Sequence, residues 1–115
     1  MLAWMGFNYL RIRRAAKIVD NEEFEALFRT GQLIDLRDPA EFHRKHILGA
    51  RNIPSSQLKT SLAALRKDKP VLLYENQRAQ RVTNAALHLK KQGFSEIYIL
   101  SYGLDSWKGK VKVEK

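Results

Sequence analysis

Apolar residues in this chain alternate between short blocks of strand length and repeats at helical spacing, and the alternation begins at Asp20. Asp20, Asn21, Glu22 and Glu23 place cap residues and acids at a helix start. Phe24, Leu27 and Phe28 then recur at helical spacing until Gly31 ends the helix. Residues 32–37 read as a short strand running into a loop. Asp38, Pro39 and Glu41 open a second, short helix, with aspartate as cap, proline at the first position and glutamate at the third. It holds Phe42 and reaches about to His46. Residues 49–54 form a turn and a short extended piece, and Ser55 and Ser56 cap a third helix whose apolar face is Leu58, Leu62 and Leu65. Residues 70–74 are an uninterrupted apolar run, as in a strand covered on both faces. A loop from Glu75 to about Gln80 leads into a helix with Val82, Ala85, Ala86 and Leu89 facing inward, ended by Gly93. Residues 97–100 are a further strand, 103–107 a short closing helix, and 108–115 a lysine-rich, frayed end.

Strands alternating with helices at this spacing predict an α/β fold with right-handed crossovers and a mainly parallel sheet of about four to five strands, helices lying on both faces. Ligands of such sheets bind beyond the carboxyl ends of the strands, so the loop after Tyr74 is where chemistry is expected.

The 115 residues are enough for one self-sufficient core, and 44% hydrophobic with 29% charged residues is ordinary for a soluble globular protein. There is no cysteine, which excludes disulfides, thiolate metal sites and any thiol nucleophile. Against 21 lysines and arginines stand 12 acids, a formal net charge of +9. That balance favours acidic partners through long-range attraction. The cations are spread along the chain, however, with no aromatic RNA-binding motif or zinc-knuckle spacing, so a nucleic-acid reader is not expected. Residues 1–17 form an arm of different character, apolar through Leu10 and then basic at Arg11, Arg13, Arg14 and Lys17. Its apolar run is well short of the roughly 20 residues that cross a bilayer. Charges that follow the run also fit a signal peptide poorly. Two readings stay open: an interfacial anchor with Trp4, Phe7 and Tyr9 at the headgroups and arginines on anionic lipid, or an arm that packs on the domain or mediates self-association.

The segment Leu33, Ile34, Asp35, Leu36, Arg37, Asp38, Pro39, Glu41 and Phe42, followed by His46, Ile47, Gly49, Ala50, Asn52, Ile53 and Pro54, resembles the first signature of rhodanese-like domains. The second half is similar in order: Pro70 to Tyr74, a helix ending in Lys90, Lys91 and Gly93, then residues 97–100, Gly103, Leu104 and Trp107. The likeness covers about residues 18–109, leaving 110–115 as a basic tail, and is nearest to the small single-domain bacterial type. It implies a rhodanese-like fold with no cofactor. It also implies a loop whose first residue is a cysteine that carries sulfane sulfur as a persulfide within a cradle of backbone N–H groups. Here the loop reads Glu75, Asn76, Gln77, Arg78, Ala79, Gln80, Arg81. Glu75 aligns with the nucleophile, Arg78 with a usual glycine and Gln80 with a frequent arginine. A carboxylate cannot accept sulfane sulfur, so no catalytic residue is assigned.

Three roles for Glu75 follow: a built-in anion in the cradle, paired with Arg78 or Arg81; a general base or metal ligand with His46 or Asp35; or, with Arg78 and Arg81, a surface for a protein partner. The first is favoured, because a hydrolase needs a second positioned group that the loop does not supply. By resemblance Asp35 and Arg37 lie at the pocket rim and hold the loop. His46 is expected to bond backbone, His88 to face solvent, and Tyr102 and Trp107 to form core or pocket wall. His43 and His46 lack a third ligand nearby, so no metal is expected. The favoured function is a non-catalytic binding or regulatory module with an unknown protein partner, cytoplasmic and peripheral at the inner face of the cell membrane through the arm. The alternative is a family enzyme handling sulfur anions or relaying sulfur with a partner's cysteine.

Overall fold

A computed structural model describes residues 16–77 and 80–113. Its centre is a five-stranded parallel sheet: β1 (Lys17–Val19), β2 (Gln32–Asp35), β4 (Arg51–Asn52), β5 (Val71–Tyr74) and β6 (Ile97–Leu100), in the order β1-β6-β5-β2-β4. A separate antiparallel pair joins β3 (Lys45–Ile47) to β7 (Val111–Val113). The helices are α1 (Asn21–Ala26), α2 (Pro39–Arg44) and α3 (Gln80–Lys91), with 3-10 turns at Ser55–Thr60, Leu62–Ala64 and Leu104–Ser106.

The two faces of β5 show why its sequence is apolar throughout. Val71 and Leu73 join Ile34, Ile97, Ile99 and the α3 residues Val82, Ala85, Ala86 and Leu89 in one core. Leu72 and Tyr74 point the other way, to Phe24 of α1, Ile47, Leu100 and Leu104. Strand alternation thus divides one strand between two cores, with α3 on one side and α1 on the other. At the start of α1 the Asp20 carboxylate accepts the Glu23 N–H at 2.9 Å. Asp38 stands at the start of α2 without a side-chain cap bond.

Four expectations change. The third helix is two 3-10 turns, broken at Ser61, although Leu58 and Leu65 still reach the core. The Thr60 hydroxyl donates to the Gln57 carbonyl at 3.0 Å, the local competition that weakens helices at such residues. The closing segment is likewise one 3-10 turn. The second helix stops at Arg44, because residues 45–47 extend to pair with residues 111–113, assigned above to a frayed tail. The β-branched Val111 and Val113 suit that role, and the pairing is invisible to local pattern because 63 or more residues separate the strands. Finally, Ala16 is buried and Lys17 pairs with Tyr98, so these two residues belong to the folded body. Residues 1–15 of the arm lie outside the described residues.

Candidate functional site

The loop that begins at Glu75 leaves the carboxyl end of β5, a central strand. Glu75 is only 7% exposed, and its Oε2 accepts the N–H of Val82 in the first turn of α3 at 2.9 Å. Its backbone is held as well. The Leu104 N–H donates to the Glu75 carbonyl at 2.8 Å, and the Asp105 N–H to the Asn76 carbonyl at 3.0 Å. The turn after β6 therefore grips the first two residues of the loop. Gly103, with φ +69° and ψ −167°, lets the chain pass against those carbonyls.

A second set of contacts comes from β2. Asp35 and Arg37 are both buried and form a bidentate pair, with Nε to Oδ1 at 3.0 Å and Nη2 to Oδ2 at 2.8 Å. Arg37 Nη1 then donates to Asn76 Oδ1 at 3.0 Å, and Asn76 Nδ2 donates to Glu41 Oε2 at 2.8 Å. Arg37 also donates to the Lys45 carbonyl. Asn52 Nδ2 ties down the backbone carbonyls of Asp35 and Arg37. The resulting chain of bonds, Asp35–Arg37–Asn76–Glu41, fixes the loop to β2 and α2. Burial opposes the charge on Arg37, but the hydrogen bonds and charge of Asp35, with the nearby Tyr74 and Glu41, outweigh it and hold the guanidinium above its ordinary value. Asp35 and the Lys45 carbonyl hold the guanidinium in place, and its remaining donor reaches the loop at Asn76. These side chains are braces for the site.

Tyr74 adds a brace that the sequence pattern hid among apolar residues. Its hydroxyl accepts the Ile47 N–H at 3.1 Å and feels the nearby Asp35 carboxylate. Burial, together with the charge of Asp35, pushes this phenol far above its ordinary value, against a smaller opposing effect of the Ile47 N–H and Arg37. A raised folded-state pKa means that the contribution to stability is intact below the unfolded value of about 10 and falls away as pH rises beyond it. Spectroscopic alkaline titration should therefore show Tyr74 ionising only as the protein unfolds. Tyr74→Phe should lose about 1–3 kcal/mol at neutral pH, because the buried Ile47 N–H is left unpaired. It should also flatten the stability decline above pH 10. An early, reversible titration of all four tyrosines would contradict this.

The remaining sequence candidates separate in space. Gln77 is exposed, with a 3.3 Å bond to Asp105. Gln80 and Arg81 are exposed on the first turn of α3, where they line a cleft facing the turn at Ser55–Thr60. Arg78 and Ala79 lie outside the described residues, and with them the pairing of Glu75 with Arg78. His46 Nδ1 lies 2.7 Å from the Phe42 carbonyl, and its ring stacks on Phe42 at 3.8 Å. His88 does not face solvent. It is half-buried on α3, and its Nε2 is shielded with no hydrogen-bond partner among the described residues. Tyr102 is 71% exposed and so outside the core, although it lines a surface cleft with Gln77 and Asp105, whereas Trp107 packs against Phe24 and Phe28. Among the described residues no three His, Asp or Glu side chains cluster as metal ligands, and no helix is long and apolar enough to cross a membrane.

The family description "rhodanese-like domain" matches residues 20–110, which includes every brace just described. The chain belongs to the rhodanese-like domain family. This rhodanese-like chain is 47% identical over 114 residues to the uncharacterized protein YqhL of Bacillus subtilis, covering 99% of itself and 90% of that relative. It is 35% identical over 95 residues to the thiosulfate sulfurtransferase GlpE of Stutzerimonas stutzeri, covering 80% and 84%. In fold the rhodanese-like body is similar to a rhodanese-like domain protein from Staphylococcus aureus. There the TM-score is 0.75 at 16% identity, covering 86% of this chain and 99% of that one. It is also similar to a rhodanese-like domain from Anabaena sp., with a TM-score of 0.74 at 20% identity, covering 84% and 78%. Neither Tyr74, Glu41 nor Gly103 stood out in the sequence as a site residue. Glu41 and Gly103 entered there only as members of the family-like pattern, and Tyr74 only as the end of an apolar run.

Proposed function

We propose that this rhodanese-like domain is a non-catalytic binding or regulatory module, in which Glu75 closes the sulfur site from within. The observation that carries the reading is the 2.9 Å bond from the Val82 N–H to the Glu75 carboxylate, at the position where the family's chemistry places a thiolate. An amide at the first turn of a helix is a natural partner for an anion, and here the chain supplies its own. A chain without cysteine cannot carry a cysteine persulfide. A buried carboxylate also repels a sulfur anion that approaches the same amide. What is left for the domain to do is to present a rigid surface, with its loop braced by Arg37 and Asn76, to a protein partner.

Purified protein in a thiosulfate:cyanide assay is expected to give no turnover above a protein-free control. Thiocyanate formation that survives removal of contaminants would sink the proposal. Glu75→Cys asks whether only the nucleophile was exchanged. With the braces intact, that variant is expected to take up thiosulfate sulfur as a cyanide-releasable persulfide.

The apolar run and the arginines within residues 1–15 support a location at the inner face of the cell membrane. Co-sedimentation with anionic vesicles should fall on deletion of residues 1–14 and at high salt, as expected for apolar insertion next to arginines. Sedimentation unchanged by that deletion would remove the membrane from this reading.

A further inference from the structure

On the flank of α3 opens a cleft of about 260 Å³ that the braced loop does not use. Its floor is apolar, from Leu58 and Ala85, while its rim carries the hydroxyls of Ser55 and Ser56 and the cations Lys59 and Arg81. Gln80 and Asn84 are bonded to each other at 2.8 Å along one wall. Among the described residues no carboxylate lines the cleft. His88 also lines it, and its shielded Nε2 has no partner among the described residues.

We propose that this cleft binds a small phosphomonoester with a flat apolar body. Two cations and two hydroxyls match a phosphate dianion, and the Leu58–Ala85 floor matches the body it is attached to. The His88 ring adds wall to the same cleft. The site is separate from the amide of Val82, which Glu75 already occupies. It therefore stands whether or not the loop proves to be inactive.

Phenyl phosphate is a suitable probe, since its second pKa of about 6 makes it dianionic at pH 7.5. Titrated into full-length labelled protein, it should give saturable NMR shifts at the amides of Ser55, Ser56, Asn84 and Ala85 and at the His88 imidazole. The amides of Glu75 and Asn76 should hardly move. Inorganic phosphate, which leaves the floor uncovered, should bind more weakly, and so should monoanionic benzenesulfonate. Lys59→Ala with Arg81→Ala should weaken phenyl phosphate about tenfold or more. Lys59 and Arg81 are both exposed, and circular dichroism of the double variant checks that the fold is kept. The proposal is overturned by shifts that do not saturate, by shifts centred on residues 75–77, by benzenesulfonate binding as tightly as phenyl phosphate, or by a folded double variant with unchanged affinity.

Discussion

Arg37→Met is expected to cost about 3–5 kcal/mol of folding stability, because it strands the Asp35 carboxylate without its counter-charge in a place from which water is excluded. Asp35 is fully buried and Arg37 nearly so, and the guanidinium is the partner of both carboxylate oxygens. The same substitution removes the donor to Asn76 and the donor to the Lys45 carbonyl. Methionine fills much of the volume, so the loss is one of charge and hydrogen bonding and not of a cavity. The double replacement Asp35→Leu, Arg37→Met removes both charges together and should cost clearly less than the sum of the single changes. Urea unfolding of the four proteins measures this as a shift in midpoint at constant slope. Additive losses would show that the two side chains act independently, contrary to the geometry.

The functional consequence of that pair lies in Asn76. With Arg37 gone, Asn76 keeps only Glu41 among its described side-chain partners, and the loop loses its tie to β2. A stability defect and a loosened loop should therefore appear together. Faster amide exchange at residues 75–77 than at the carboxyl end of α3 would be their joint signature.

Much of this scaffold is written in local pattern. The apolar run at residues 71–74 identifies a strand with two covered faces, and Val82, Ala85, Ala86 and Leu89 mark the inner face of α3, because both signals depend on neighbours in sequence. The elements that escape are those made by distant partners. Nothing in Lys45, His46 and Ile47 announces a strand until residues 111–113 arrive beside them. At the edge of the sheet, β1 is three residues long and follows a run of cations, which leaves it too short for a period to be read. The site divides in the same way. The missing cysteine and the substituted position at Glu75 can be read directly, whereas the bond to Val82 depends on how α3 is set against β5. Tyr74 looks like one more apolar residue, and only the fold places its hydroxyl between Ile47 and Asp35.

Gly103→Ala should damage the loop from the opposite side. Its φ of +69° with an extended ψ belongs to a region that is essentially glycine-only, at a cost of order 1–3 kcal/mol for any other residue. A methyl group there would also stand 2.5 Å from the Glu75 carbonyl and closer still to the Asn76 carbonyl. Overpacking of that kind adds about 1–3 kcal/mol, and these obstacles are backbone, unable to swing away as a side chain would. Gly49→Ala is the matched control. It too has a positive φ, +92°, but nothing lies within 4 Å of the added carbon, so only the conformational cost should appear. The difference between the two variants isolates the steric part. In Gly103→Ala the chain can relieve the clash only by moving the turn at Leu104–Ser106 away from the loop, which breaks the bonds from the Leu104 and Asp105 amides. Those two amides should exchange markedly faster than in Gly49→Ala. If instead both variants lose the same stability and both amides stay protected, the turn after β6 does not hold Glu75 in place. The position of its carboxylate must then be set by α3 and the β2 braces alone.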